Sequence, residues 1–285
     1  MARLKNKVTV ITGAARGQGR SHAVHMAAEG ADIIALDICS DIATTPNPLA
    51  TEADLDETRR LVEEAGRRIV TVKADVRDRR QLTDGLDDAV AKLGGLDVIV
   101  ANAGISAFGP GVPVQGFVDA FDVDFIGVVN TITAGLPHLK PGSSVVAIGS
   151  IAALASQVNR SDGLGLQGPG AAGYGLAKSM LCDYTKSLAL VLAEQRIRVN
   201  AVHPTNVDTD MLHIEAIYRT FRPDLPNPTR TDAEVGFTFM HAIPVPYVDP
   251  ADISHAVVYL ASDESRYVTG QQLFVDAGAA LKAGL

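Results

Sequence analysis

Tyr174 and Lys178 lie four residues apart in GYGLAKSM, 173–180, a stretch with a helical pattern. Positions i and i+4 of a helix share a face, so a phenol and an ammonium project side by side. A tyrosine hydroxyl with a pKa of about 10 is a slow base at neutral pH. Making it a useful one takes roughly 3–4 kcal/mol of preferential phenolate stabilisation, at about 1.36 kcal/mol for each tenfold change. A neighbouring positive charge supplies that kind of field. Taken alone the pair carries little weight, because Tyr-x-x-x-Lys arises often by chance. A serine strengthens it. Ser150 ends the apolar run SSVVAIGS, 143–150, where its hydroxyl can hydrogen-bond an alcohol or carbonyl oxygen. No Gly-x-Ser-x-Gly elbow surrounds it, so it is not read as a nucleophile. The seven histidines include no His-x-x-x-His pair and the carboxylates show no ligand spacing, so no metal site is expected.

These residues need elements to hold them. Short β-branched runs at 7–12, 31–37, 68–75, 96–104, 143–150, 197–204 and 272–278 alternate with helical patterns at 17–30, 52–66, 79–93, 113–139, 171–194 and 249–262. Nearly continuous apolar strands imply burial on both faces, so the alternation predicts an α/β, doubly wound parallel sheet with helices on both faces. No linker or short-period repeat divides the chain, so residues 1–285 are read as one domain.

The composition fits: 47% hydrophobic residues can fill a large core. A net charge of −8 argues against nucleic acid or an anionic membrane as partner. The short basic spots at 66–68 and 79–81 read as solvated helix faces. Cys39 and Cys182 make neither a disulfide framework nor a metal spacing, which suggests a reducing compartment. With no leader pattern before the first strand and no membrane-length apolar run, a cytoplasmic protein is expected. Three stretches break the rhythm: the long connection at 38–51, the Gly/Ser-rich 154–173, and the proline-rich segment at about 205–248. The last carries Met211, Tyr218, Phe221, Phe237, Phe239 and Met240, and reads equally as a substrate lid or an oligomer contact.

VTVITGAARGQGRSHAV, 8–24, is a strand, a glycine turn and a helix. Gly13, Gly17 and Gly19, with Gln18 between the last two, allow close approach of the backbone to a pyrophosphate, whose charge a helix N-terminus favours. The spacing Gly-x-x-x-Gly-x-Gly differs from the usual Gly-x-Gly-x-x-Gly, and its weight comes from its place at the first strand. Asp37 ends the second strand, 18 residues beyond Gly19. Its carboxylate can accept from ribose hydroxyls and repel a 2′-phosphate, or simply cap the strand end. Arg16 pulls the other way because it can pair with that phosphate, but Ile38 and Cys39 add no second cation. NAD rather than NADP is expected, and an oxidised nicotinamide would add positive charge near Tyr174. Asp75 and Val76 end the third strand where an adenine edge can lie, and Asn102, Ala103 and Gly104 end the fourth. All sit at carboxyl ends of strands, where open α/β sheets bind ligands.

Together TGAARGQG, NAG, the GS of Ser150 with YGLAK, and the tail YVTGQQLFVDAG resemble the short-chain dehydrogenase/reductases across essentially the whole chain. The resemblance implies a seven-stranded Rossmann fold, usually a homotetramer. It implies Tyr174 as acid/base, Lys178 lowering its pKa and binding the nicotinamide ribose, and Ser150 orienting the substrate. VHPTNVDTDM, 202–211, matches the segment after the sixth strand, with Pro204 beside the nicotinamide, Val207 at its carboxamide, and Thr209 and Met211 nearby.

More narrowly, GAARGQGRSHAV, the long 36–70 region and ADVRD look like the mycofactocin-coupled, carveol-dehydrogenase-like subgroup of mycobacteria and other actinobacteria. That implies NAD held tightly and reoxidised in place by mycofactocin, with the 38–51 loop covering the adenosine. Two departures stand out. Asp124 occupies the family's usual asparagine position, where it can accept the asparagine's hydrogen bonds or pair with Lys178 and weaken its effect on Tyr174. Ser150 and Tyr174 are 24 residues apart, wider than is usual, so the insertion at 157–170 should sit over the substrate site.

The expected activity is hydride transfer between NAD and a hydrophobic secondary alcohol or ketone. The alternatives are a 3-oxoacyl-thioester reductase with exchangeable cofactor, and a non-catalytic NAD-binding subunit.

Overall fold

The seven apolar runs become strands β1 Val8–Thr12, β2 Asp32–Asp37, β3 Ile69–Lys73, β4 Val98–Ala101, β5 Ser144–Ile148, β6 Arg198–Pro204 and β7 Gln272–Val275. The computed structural model describes residues 2–109, 111–153 and 168–284. The strands form one sheet in the order β3-β2-β1-β4-β5-β6-β7, every pair parallel. Parallel neighbours need long crossovers, and helices supply them. They are α1 Gly17–Ala28, α2 Glu52–Glu64, α3 Arg79–Leu93, α4 Gln115–Phe121, α5 Gly127–Gly135, α6 Pro169–Leu192, α7 Glu215–Phe221, α8 Arg230–Met240, α9 Pro250–Ala261 and α10 Ala279–Lys282. This is a Rossmann fold in a single domain.

Alternation along each strand divides the core. Val10, Ile34, Ile99, Val145 and Ala147 face one side with Leu82 and Leu86 of α3, Ile132 of α5 and Leu181 of α6. Ile11, Ile33, Val100, Val146 and Ile148 face the other with Met26 of α1, Leu55 of α2 and Val257 of α9. Each large side chain so buried contributes about 1.5–3 kcal/mol. Burial on both faces explains why these strands read as continuous apolar runs rather than alternating ones.

Helix starts follow local chemistry. Thr51 with Asp54, Thr229 with Asp232, and Asp249 with Asp252 form reciprocal capping boxes. Between α4 and α5 the helix widens into one π turn, Asp122–Ile126, which a smooth helical pattern over 113–139 does not predict. Such turns recur at functional sites.

The segment after β6 leaves and returns at one point. Val207 bridges Val248, with Val248 N donating to Asn206 O and Asp208 N to Val248 O at 3.0 Å each. Between them α7 and α8 enclose a small core of their own: Leu212, Ile214, Ile217, Ala233 and the fully buried Phe237, against which Phe221 stands edge-on at 4.7 Å. The insertion at 157–170 falls almost wholly outside the described residues. Replacing Phe237 by alanine should cost about 3–5 kcal/mol, confined to this excursion. Hydrogen exchange should speed up in α7 and α8 while β1, β4 and β5 keep their protection; uniform loss across the sheet would contradict that local core.

Candidate active site

The glycine turn carries the first part of the site. Gly13 and Gly17 adopt φ of +67° and +56°, a left-handed backbone that suits glycine. At Gly19 a Cβ would lie 2.0 Å from Gly13 O, so only glycine lets α1 begin so close to β1. At the end of β4 the Asn102 and Ala103 N–H groups both donate to Thr12 Oγ1 at 3.1 Å, locking the NAG stretch beside the turn. The two ends enclose a groove of about 1030 Å³. Its walls include Gly13, Arg16, Gly17, Gln18, Gly19, Asp37, Ile38, Asp75, Val76, Asn102, Ala103, Gly104, Thr209 and Met211, as expected from sequence, and also Ile42, Thr45, Asn47 and Leu49 from the 38–51 loop.

Of the two roles weighed for Asp37, the cap at the strand end is the one seen. Its carboxylate accepts from Ala15 N at 3.0 Å and Cys39 N at 3.1 Å, one bond to each oxygen, while still lining the groove. Burial raises its pKa, and these backbone bonds and Arg16 pull it back. Arg16 itself is engaged elsewhere. It donates to Pro48 O at 2.7 Å and pairs with Asp210 at 3.4 Å, joining the 38–51 loop to the segment after β6. A guanidinium so occupied, beside a buried carboxylate, does not fit a 2′-phosphate. The glycine cradle, the helix terminus, the free lone pairs of Asp37 and the unpartnered Gln18 Oε1 fit NAD.

A second cavity, about 1130 Å³, adjoins the first, since Gln18, Ser106, Thr209 and Met211 line both. Ser150, Tyr174, Pro204 and Val207 stand in its wall, and Phe108, Ile151, Leu212, Ile217, Phe221 and Met240 make much of the rest apolar. Ser150 Oγ accepts from Ala152 N at 3.1 Å, and the Ser150 side chain acts on Tyr174 in the direction that favours the phenolate. Phe108 packs edge-on against the Tyr174 ring at 5.4 Å.

Lys178 and Asp124 line neither cavity. Both are buried behind Tyr174, at 3% and 0% exposure. Lys178 Nζ donates to Ile148 O at 2.9 Å, lies 5.6 Å from the Tyr174 ring centre, and faces Asp124 Oδ1 at 3.2 Å. That last contact is an ion pair whose angle leaves Oδ1 without a well-formed hydrogen bond. Oδ2 accepts from Ile105 N at 3.3 Å. The π turn delivers Asp124 here, and the lack of a side chain at Gly104 leaves it room, because a Cβ there would sit 2.6 Å from Oδ1. Of the two fates weighed for Asp124, pairing with Lys178 is the one seen. Burial raises Asp124 to about 6 despite Lys178. Tyr174 also stands above its ordinary value: burial outweighs the pull of Lys178 and Ser150, and Asp124 pushes the same way. The lowering expected from Lys178 is therefore present but overridden in the protein alone.

Sequence reasoning missed Ser106 and Asn206, whose Oγ and Nδ2 are buried without a partner in the second cavity. It also missed His203, whose Nδ1 receives the Ser150 backbone N–H at 3.2 Å. A polar residue in the strand run IRVNAVHP was the available signal. Among the described residues no cluster of three His, Cys, Asp or Glu side chains is placed to hold a metal.

Residues 13–280 match the family described as enoyl-(acyl carrier protein) reductase. The chain is 42% identical to (-)-trans-carveol dehydrogenase of Rhodococcus erythropolis, over 99% of this chain and 100% of that protein. The crystal structure of carveol dehydrogenase from Mycobacterium avium in complex with NAD superposes with a TM-score of 0.90 at 44% identity, covering 99% and 100% of the two chains. A short chain dehydrogenase from Mycobacterium paratuberculosis bound to NAD gives 0.83 at 39% identity, covering 98% and 99%.

The Asp124 carboxyl has a testable signature. Held at about 6 when folded, it keeps its proton to higher pH than in the unfolded chain, where 3.8 applies. Between these values the folded state binds more protons, so this group's contribution falls as pH rises and levels off above about 6. Denaturant unfolding of Asp124→Asn should therefore gain stability relative to the parent between pH 4.5 and pH 7. A constant difference would show that Asp124 ionises normally.

Proposed function

The chain belongs to the short-chain dehydrogenase/reductase family and is an NAD-dependent oxidoreductase, and from that premise we propose that it interconverts a hydrophobic secondary alcohol and its ketone. One observation carries the reading: Ser150 and Tyr174 stand together in the wall of a largely apolar cavity that adjoins the glycine-turn groove. NAD bound in that groove supplies the hydride acceptor and, when oxidised, a positive charge.

Tyr174 takes the proton from the substrate hydroxyl and returns it in the reverse direction. Ser150 donates to the reacting oxygen, its own Oγ steadied by Ala152 N. Lys178, tethered to Ile148 O, holds its ammonium near the Tyr174 ring and favours the phenolate. Asp124 is a positioning residue that orients Lys178 while tempering its field. Gly13, Gly17, Gln18 and Gly19 take the pyrophosphate, Asp37 the adenosine ribose, Asp75 and Val76 the adenine, and Asn102, Ala103 and Gly104 the inner edge. Pro204, Val207, Thr209 and Met211 bound the nicotinamide end.

The substrate is carveol-like in being apolar around one oxygen. Among the described residues no Lys or Arg lines the second cavity, which disfavours the acyl-thioester alternative with its phosphopantetheine phosphate. Residues 205–248 act as the lid over this cavity, with their own small core keeping them shaped.

Arg16 clamps the 38–51 loop and the base of that lid together over the groove, which favours a retained cofactor reoxidised in place by mycofactocin. Val118 and Ile126, with Leu176 and Met180 on adjoining α6, form an exposed apolar face suited to a second copy in a homotetramer. The unpaired Cys39 and Cys182 suit the cytoplasm; among the described residues no helix is long and apolar enough to cross a membrane.

Tyr174→Phe should lower kcat/KM for alcohol oxidation about 10²- to 10⁴-fold with cofactor content unchanged; full activity in that variant would remove the catalytic reading. In Asp124→Asn the acidic limb of the rate profile should move to lower pH, because a charge opposing the phenolate is gone. NAD released by denaturing the dialysed protein should approach one per chain, and Arg16→Ala should leave it depleted. Equal content in parent and variant would show that Arg16 does not retain it.

A further inference from the structure

His203 lies on β6, fully buried, at the carboxyl end of the sheet. Gly149 N and Ile151 N pair with Val202 O and Pro204 O at 2.7 and 3.0 Å, continuing the β5–β6 ladder. The N–H between them, that of Ser150, has no strand to meet, because β4 ends at Ala101. A buried backbone donor needs a partner, and His203 Nδ1 receives it at 3.2 Å.

The other ring nitrogen meets Gln272 Oε1 of β7 at 2.8 Å. Gln272 Nε2 donates to Thr185 Oγ1 at 3.0 Å, and the Thr185 hydroxyl donates to Leu181 O at 2.8 Å within α6. Nδ1 also lies 3.2 Å from Ser150 O, so the tautomer is set at the other nitrogen: with Gln272 Oε1 facing Nε2, the proton sits on Nε2 of a neutral imidazole and Nδ1 accepts from Ser150 N. Burial lowers the His203 pKa and so favours that neutral form. The ring is fixed from both sides. Phe274 stacks on it at 5.0 Å, and at position 149 a Cβ would lie 2.4 Å from Nδ1, so the residue before Ser150 must be glycine for this contact to exist.

We infer that His203 is a positioning residue for the reaction: Nδ1 fixes the Ser150 backbone, and the bonds through Gln272 and Thr185 hold it in register with α6, which carries Tyr174 and Lys178. The inference rests on the proposed roles of Ser150 and Tyr174. It explains why a histidine lies buried on β6. It also explains how the serine keeps its place although an insertion begins seven residues later in the sequence. Small displacements of such a group are costly, since a misplacement of about 1 Å can lower a rate about 100-fold.

Two half-substitutions separate positioning from filling space. Asparagine places its Oδ1 where Nδ1 was and can still accept from Ser150; glutamine reaches Gln272 but offers nothing at the δ position. His203→Asn should keep kcat within about 3-fold of the parent, while His203→Gln should lose about 10- to 100-fold, with NAD content unchanged in both. Equal losses in the two would overturn the inference.

Gln272→Glu gives a second readout that does not depend on core volume. A carboxylate against Nε2 favours the imidazolium, which donates from both nitrogens, turning Nδ1–H toward Ser150 O and leaving Ser150 N without its acceptor. The groups facing the ring are Lys178, Lys186 and Cys182 from α6, Gln272 and Phe274 from β7, and Ser150 from the end of β5. Of these only the new glutamate would add negative charge near neutral pH. The kcat of Gln272→Glu should therefore fall at acidic pH along a limb that the parent lacks; superimposable profiles would refute the role of Nδ1. Tyr174→Phe assayed alongside keeps the two readings apart. If it retains activity the reaction assignment fails, whereas an inactive Tyr174→Phe with indistinguishable His203 variants defeats only the positioning role.

Discussion

A carboxylate and an ammonium buried together set the terms for everything around them. Desolvating either charge alone costs several kcal/mol, so each must find partners inside the protein. Lys178 has Ile148 O and Asp124; Asp124 has Lys178 and Ile105 N. Each partner belongs to a different element: the end of β5, the π turn between α4 and α5, and the stretch after β4. The pair can form only when β4, β5, the π turn and α6 have all arrived. Local deviations from regular structure then acquire a reason. The π turn brings Asp124 inward, and Gly104 leaves space for its carboxylate, directly after the Asn102 and Ala103 N–H groups that bond Thr12 beside the glycine turn. Cofactor groove and proton-handling cluster are thus built on common backbone.

The same pair explains the state of Tyr174. An asparagine at position 124 would leave the ammonium's field unopposed; the aspartate subtracts from it. Burial further disfavours the phenolate, so the protein alone holds the phenol protonated. A tyrosine kept protonated until more positive charge enters the joined cavities is a base that switches on with its partner. Proton uptake is then coupled to occupancy of the groove by electrostatics, with no moving part required.

Much of this was legible in the chain because the carriers are local. Strand runs and helical patterns predicted every strand of the sheet to within a few residues, since burial on both faces leaves an unmistakable apolar signature. The i, i+4 spacing of Tyr174 and Lys178 needs no tertiary knowledge, and the glycine turn is contiguous. What remained hidden depends on long-range contacts. The π turn differs from an α-helix by one hydrogen-bond register and leaves no mark in hydrophobic spacing. Arg16 was weighed as a partner for a 2′-phosphate because Pro48 O and Asp210, which engage it, lie 32 and 194 residues away in sequence. His203 was not singled out, because β6 also carries Arg198 and Asn200 and the partners of His203 beyond β5 and on β7 come together only in the sheet. Helices α7 and α8 lay within the proline-rich 205–248 segment, where no helical pattern was read.

The two cavities are not independent, because Gln18, Ser106, Thr209 and Met211 belong to both walls. Thr209 and Met211 flank Asp210, the residue Arg16 holds. Any movement of the segment after β6 that admits substrate must pull on the Arg16–Asp210 contact, and through Pro48 on the loop over the groove. An exposed ion pair of this kind contributes little stability, so its value here lies in connectivity. It links the segment after β6 to the 38–51 loop without a rigid brace between them. Ser106 Oγ, buried and unpartnered at the junction, remains to be satisfied by whatever fills the cavities. An unpaired buried hydroxyl discriminates against a ligand that cannot bond to it. A ligand that brings an oxygen to that hydroxyl would relieve its cost, at the seam the two cavities share.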